Sequence, residues 1–490
     1  MPHCLVVVCV CVCRDPVFER KLARMTFGAG LTPPRSEYPK RANAQESRLS
    51  VQNPDDQFDR HDKKFPASTK IQRKTTMLPS STRREFLRQL GAAGIVSLGA
   101  MPPRFMTRAA EAAAGPVPRD QRVLVMIQMA GGNDGLNTLV PIGDPAYEKA
   151  RPGIGFKKGQ ALKLNEQFGL HPNLTGLREL YDEGKLSIVQ GVGYPNPDRS
   201  HFRSMDIWQS AEPDRAEPRD GWLGRALEWQ FDRQPLLAEA LTLGTDKLPL
   251  AFVSSRVNVP TLRRVEDFQL ADGSGPEANR TLTRSAQKRL AGEVALSGSE
   301  LDFLRRATTT ALTSAERLKS LSSSYKTTVN YPGTALAIRL KLIAQMVAAD
   351  FPARMYFVSL DGFDTHSQQQ QGHAALMAEL SGAIRAFEQD LTEHKQNDRV
   401  ALATFSEFGR RVAENGSLGT DHGAASMLFA LTPSGKAGFH GQAPSLTDLT
   451  DGDLKFTTDF RSVYATLLEK WLEIPSEGIL GGKFETLGFA

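Results

Sequence analysis

The apolar residues of this chain fall into two kinds of run. Arg122–Met129, Lys185–Val192, Met355–Leu360 and Val400–Phe405 are short and almost continuously apolar. They lack the alternation of a half-exposed strand, which predicts strands buried on both faces. Between them, Leu174–Glu183, Ala335–Asp350, Gly372–Lys395 and Asp459–Leu472 carry apolar residues at helical spacing. Another helix should start near His201, where Asp198 or Ser200 can cap it, and Met427–Leu431 reads as one more short strand. Alternation of strand and helix predicts an α/β fold: a mainly parallel sheet with helices on both faces. Residues 235–330 are less regular. Within them, Thr281–Leu321 should form two helices broken near Ser297–Ser299, as an insertion that caps or flanks the main domain.

Chemistry-bearing residues follow the strands. The run from Met355 leads into Asp361-Gly-Phe-Asp-Thr-His366, and the run from Val400 leads through Ser406-Glu-Phe-Gly409 to Gly419-Thr-Asp-His-Gly423. The C-terminal edge of a parallel sheet is where open α/β folds place their sites. Carboxylate beside imidazole suits zinc, manganese or iron better than calcium, which prefers oxygen alone. Asp361, Asp364, His366, Asp421 and His422 are therefore candidate metal ligands. So is Asp134, at the tip of the first strand in Ala130-Gly-Gly-Asn-Asp-Gly135, although an ordinary Asp-Gly turn explains it too. Ser200 is either a helix cap or a nucleophile at a helix N-terminus suited to a phosphate-like anion. His201 reads as a core residue or an outer contact before it reads as a ligand or base. Glu407 and Arg410 are outer contacts, anion contacts or a salt bridge. His171, His373 and His394 are expected to be structural or solvated.

The N-terminus predicts where this chemistry takes place. Ser81-Thr-Arg-Arg-Glu-Phe-Leu87, the weakly apolar Leu90–Met101 and the small residues Ala109–Ala114 have the order of a twin-arginine export signal. The twin-arginine translocase is thus an expected partner, with an exported, periplasmic or cell-surface product. Residues 1–76 lack apolar periodicity and read as a disordered leader or an over-extended start, with Met77 as a plausible true start. Without these segments, residues 115–490 hold 41 basic and 45 acidic residues, a net charge of −4 despite the +5 of the whole chain. That balance argues against a nucleic-acid partner. All four cysteines lie within residues 4–13, so the remainder has no disulfide, thiolate nucleophile or Cys-bound zinc. No stretch after residue 114 is apolar enough for a transmembrane anchor.

Taken together, Met129–Gly135, Arg199-Ser-His-Phe202, Gly362–His366, Phe405–Arg410, Gly419–Gly423 and Thr458–Tyr464 resemble the exported domain-of-unknown-function 1501 family over about residues 120 to 490. That family is related to the alkaline phosphatase and sulfatase superfamily. The resemblance implies an alkaline-phosphatase-like fold and a site for two divalent metals. The ligands it implies are Asp134, Asp361 or Asp364 with His366, and Asp421 with His422; Ser200 is its nucleophile. It implies a metal-dependent hydrolase of a small-molecule or glycan phosphate or sulfate ester, with zinc or manganese. The alternative is a non-catalytic exported protein that keeps the fold and binds a glycan or a protein. Two departures stand out. The only candidate for the superfamily's C-terminal histidine is His440, and no Cys/Ser-x-Pro-x-Arg sequence supports a formylglycine sulfatase.

Overall fold

A computed structural model describes residues 121–233, 239–245, 247–257, 259, 261–262 and 325–490. The leader, the export signal and the two helices expected within 281–321 lie outside the described residues. The elements that position the site are β1 (Val123–Ala130), α1 (Thr175–Asp182), β2 (Leu186–Gly193), α2 (His201–Ser210), α3 (Trp222–Arg233), β3 (Glu239–Leu243) and β4 (Thr261–Leu262). They continue with α4 (Ala335–Ala348), β5 (Ala353–Asp361), α5 (Gln369–Glu393), β6 (Val400–Phe405), β7 (Ser426–Leu431), β8 (Gly438–His440), β9 (Thr458–Asp459) and α6 (Phe460–Thr466). Beyond Thr466 the helix widens into a π-helical stretch over Leu467–Leu472.

Among the described residues, nine strands form one sheet in the order β8-β2-β7-β6-β1-β5-β3-β4, with β9 beside β2. Every pairing is parallel except those of β7, which runs antiparallel to both β6 and β2. The continuous apolar runs arise because successive side chains point to opposite faces and both faces are covered. In β1, Val123, Val125, Ile127 and Met129 pack with α1, α4 and α5, whereas Leu124 and Met126 pack with α2, α3 and α6. The expected mainly parallel sheet flanked by helices on both faces is the observed architecture. Among the described residues no helix is long and apolar enough to cross a membrane.

His171 and His373 lie in the core at 3% and 2% exposure, with ring centroids 5.4 Å apart. His171 Nδ1 accepts the Asn173 N–H at 3.0 Å, so that nitrogen carries a lone pair in the fold. Burial, reinforced by the neighbouring histidine, lowers His171 to about 3; burial above all lowers His373 to about 4. Below the ordinary value of 6.5 the unfolded chain binds protons that the folded one refuses. Stability is therefore full above that pH and falls as the pH drops toward the folded values. The slope is about 1.4 kcal/mol per pH unit for each histidine. Urea titrations of the metal-free protein should show roughly 3 kcal/mol lost between about pH 6.5 and 5, and His171→Phe should remove about half of that slope. Equal slopes for the wild type and the variant would refute the assignment.

Candidate metal centre

Sheet register brings the site together. Ala130 pairs with Asp361 and Gln128 with Phe405, so β1, β5 and β6 end at one edge. The loops that leave them touch. Gly131 has φ +119°, and a Cβ there would lie 2.4 Å from the Asp364 amide nitrogen. Only glycine lets these two loops approach so closely. β7 runs the other way, so its start, rather than its end, lies at this edge. His422 precedes that start and is pinned by a bridge with Arg410. The loop after β2 delivers His201 to the first turn of α2.

Four donor atoms from these loops meet. Asp364 Oδ1 lies 3.1 Å from His366 Nε2, 3.2 Å from His422 Nε2 and 3.5 Å from His201 Nε2. The Nε2 atoms of His366 and His422 are 2.9 Å apart, an approach that two imidazoles tolerate only around a shared proton or a shared cation. His422 Nδ1 donates to the Arg199 carbonyl at 2.8 Å, which leaves its Nε2 as a lone pair. Across the cluster, His201 Nε2 is buried and has no hydrogen-bond partner. Ligands held tetrahedrally about 2.1 Å from an ion lie roughly 3.4 Å from one another, close to the spacings found here. The orphaned imidazole nitrogen and the mixed imidazole–carboxylate set both fit a divalent transition metal; among the described residues, His201, Asp364 and His422 place donor atoms all within 4.8 Å of one another.

The surroundings favour a charged Asp364. Burial opposes its charge, but the Arg410 hydrogen bond and the positive charge of that guanidinium, with the His422 and His366 rings beside it, bring its carboxyl down to about 2. Arg410 is itself buried and reaches Asp364 Oδ1 at 2.8 Å, the Gly132 carbonyl at 2.6 Å and the Thr420 carbonyl at 2.9 Å. Burial also lowers His422. Asp421 stands behind His366: its Oδ1 is 3.4 Å from His366 Nδ1 and 3.1 Å from Asn415 Nδ2, and the Asn415 bond, with His366, keeps its carboxyl below the ordinary range.

Asp364, His366 and His422, with Asp421 at the border, come together from the sequence-based set. Two other expected ligands do not. Asp134 is fully buried elsewhere and belongs to an ion pair. Its Oδ2 lies 2.5 Å from Arg151 Nη1 and also accepts from Gln369; its Oδ1 accepts the Leu136 and Asn137 amides. With both oxygens engaged, it has no lone pair directed at the cluster. Asp361 is exposed at the end of β5, and its Oδ1 takes the Ser359 hydroxyl at 2.6 Å. Residues two apart share a strand face, so its carboxylate turns back along β5. His440 is also separate, with its Nε2 on the Lys436 carbonyl at 2.6 Å. Ser200 sits at the N-cap of α2, exposed, and its side chain makes no capping bond. His201, read first as a core residue or outer contact, stands among the donor atoms, and Glu407, read as an outer contact, anion contact or salt bridge, hydrogen-bonds it from behind; the sequence signal for Glu407 is its place just past the end of β6. A cleft of about 780 Å³ opens alongside, walled by Asp198, Arg199, Ala424, Ala425, Asp453 and Phe456.

Comparison with known proteins gives a family and distant structural likenesses. The family described as "Protein of unknown function (DUF1501)" matches residues 186–468, more than half of the chain, and excludes β1 with its Gly-Gly-Asn-Asp tip. No curated protein matches. Among solved structures, the C-terminal periplasmic domain of EcEptC from Escherichia coli, in complex with Zn, is similar at 9% identity over 64% of this chain and 72% of that one, with a TM-score of 0.33. The PsFucS1 sulfatase from Pseudoalteromonas sp. is similar at 10% identity over 77% and 70%, with a TM-score of 0.33. An alkaline phosphatase from the Antarctic bacterium TAB5 is similar at 12% identity over 65% and 94%, with a TM-score of 0.27.

Proposed function

We propose, for a chain that belongs to the DUF1501 family of proteins of unknown function, an exported metal-dependent hydrolase of a phosphate or sulfate ester. The observation that carries this reading is the convergence of three imidazole Nε2 atoms on Asp364 Oδ1 at 3.1, 3.2 and 3.5 Å, at a sheet edge beside an open cleft. His201, Asp364 and His422, whose donor atoms lie within 4.8 Å of one another, would hold one zinc or manganese ion, with His366 Nε2 against Asp364 and His422. With Asp134 paired to Arg151 and Asp361 turned to Ser359, this reading takes one ion. When bound, such an ion polarises an ester oxygen and lowers the pKa of a nearby hydroxyl. Ser200 is the nucleophile in this reading: it neighbours His201, its hydroxyl is not spent on capping, and the N-terminus of the ten-residue α2 favours negative charge developing at the ester. The cleft gives the rest of the ester room beside Arg199.

Wild-type protein loaded with zinc or manganese should hydrolyse an aryl phosphate or an aryl sulfate. Ser200→Ala should lose on the order of a thousandfold in turnover while its stability changes by no more than about 0.5 kcal/mol. Full activity in Ser200→Ala would remove the serine from the reaction, and a metal-loaded wild type inert on both esters would favour a binding protein over an enzyme. The export half of the reading rests on Arg83-Arg84 and the apolar and small residues after them. Replacing both arginines by lysine should retain the precursor in the cytoplasm; unchanged export of that double variant would exclude the twin-arginine route.

A further inference from the structure

Glu407 stands one bond behind the cluster. It is 1% exposed, and its charge is held in a fixed frame of donors. Oε1 accepts the Gly131 N–H at 2.8 Å and faces His201 Nδ1 at 2.9 Å; Oε2 lies 3.2 Å from the Ser406 hydroxyl. The Ser406 hydroxyl in turn donates to the Met129 carbonyl at 2.7 Å and accepts the Asn133 amide at 2.9 Å. Oε1 thus takes both bonds, from the tip of β1 and from His201. The carboxylate cannot rotate away without breaking both.

This arrangement decides which nitrogen of His201 carries the proton. A carboxylate only accepts, so the hydrogen lies on Nδ1 and Nε2 presents its lone pair. The Nε2 atom has no hydrogen-bond partner of its own, and Asp364 Oδ1 is 3.5 Å away. A proton on Nε2 would leave that buried N–H without an adequate acceptor and would set Nδ1 lone pair against carboxylate. Ring contacts hold the plane: the Phe408 and His422 rings lie at centroid distances of 4.9 and 4.4 Å. We infer that Glu407 is a positioning residue: it fixes His201 as the Nδ1–H tautomer with Nε2 aimed at Asp364, and it raises the donor strength of that nitrogen. The inference rests on the metal reading of the site for its consequence, since an outer carboxylate of this kind strengthens metal affinity by about 10- to 100-fold, but the tautomer itself exists without metal.

The test uses the mature protein, metal-free and then titrated with cobalt(II). Long-range proton–nitrogen correlation spectra of histidine-labelled protein should show His201, assigned by loss of its signal in His201→Gln, with Nδ1 protonated before any metal is added. Glu407→Ala should convert that signal to a mixture of tautomers, weaken cobalt binding by about 10- to 100-fold and alter the visible absorption of the bound cobalt. Glu407→Gln keeps an acceptor but lacks the charge. It should preserve the tautomer and fall between the other two in affinity, which also covers the case in which the alanine variant does not fold. A proton on Nε2 in the wild type, or cobalt affinity of Glu407→Gln equal to the wild type within about twofold, overturns the inference. A wild type with the expected tautomer that takes up no cobalt overturns the metal reading and leaves the positioning of His201 intact.

Discussion

Asp364→Ala should abolish stoichiometric metal binding by this protein. Purified wild type, reconstituted with zinc or manganese, is expected to retain about one equivalent through gel filtration; the variant is expected to retain none. The reason is geometric. Asp364 Oδ1 is the atom that all three imidazole nitrogens approach, at 3.1, 3.2 and 3.5 Å. It also supplies the one negative charge directly among the imidazoles, with Asp421 and Glu407 standing behind His366 and His201. Its loss would leave Arg410, whose Nη2 lies 2.8 Å from Oδ1, as an unopposed positive charge beside the three rings. Arg410 keeps its carbonyl partners Gly132 and Thr420, so the loops should hold and the variant should fold. Thermal unfolding separates loss of metal from loss of fold. At a free-metal concentration a hundredfold above the dissociation constant, binding stabilises the wild type by about 2.7 kcal/mol. The melting curve of the variant should not respond to metal at all. A wild type that fails to bind any transition metal after loading would rule out the centre, whatever the variant does.

Asp134→Ala should cost about 3 to 5 kcal/mol of folding stability, the range for breaking one side of a buried ion pair. Asp134 and Arg151 are both 0% exposed. Arg151 keeps Asn137 Oδ1 at 2.8 Å and the carbonyls of Val412 and Arg411, each at 2.9 Å, but those neutral acceptors do not cancel a buried guanidinium. Gln369 also loses its acceptor, and through Gln369 the damage spreads, because its Oε1 accepts from Thr420 and Thr365, which flank the metal loops. Asp134→Leu combined with Arg151→Met should be less damaging than Asp134→Ala alone, since it leaves no unpaired charge. The ligand interpretation of Asp134 makes the opposite forecast: metal lost and stability nearly unchanged. Denaturant titration and metal retention measured on the same Asp134→Ala sample distinguish them.

The strands were legible because sheet burial leaves a mark on consecutive residues. A strand covered on both faces is apolar at nearly every position, and Val123–Met129, Ile188–Val192 and Val400–Phe405 carry that mark without help from the rest of the chain. Helix ends were less legible. α5 begins at Gln369 rather than Gly372 because Gln369 turns inward to Asp134, and no local pattern announces a partner 235 positions away. The small residues of Gly131–Gly132 announced a tight backbone but not its purpose, which is to let the Asp364 loop pass within contact of β1.

What the sequence determined by itself was the class of fold and the chemical vocabulary of the site: carboxylates and imidazoles placed just past apolar runs, with no cysteine after residue 13. What only the tertiary structure decided was which of them meet. Asp134, Asp361 and Asp364 are the same residue type near the same sheet edge, and one is neutralised by Arg151, one turns back to Ser359 and one faces three histidines. The reversal of β7 brings His422 to that edge from a position that precedes its strand, and the loop after β2 brings His201 from 163 positions before Asp364. Local spacing records which residues neighbour one another along an element. Strand direction, register and the choice of partner for a buried charge are settled by contacts between segments far apart in the chain, and those contacts exist only once the sheet has formed.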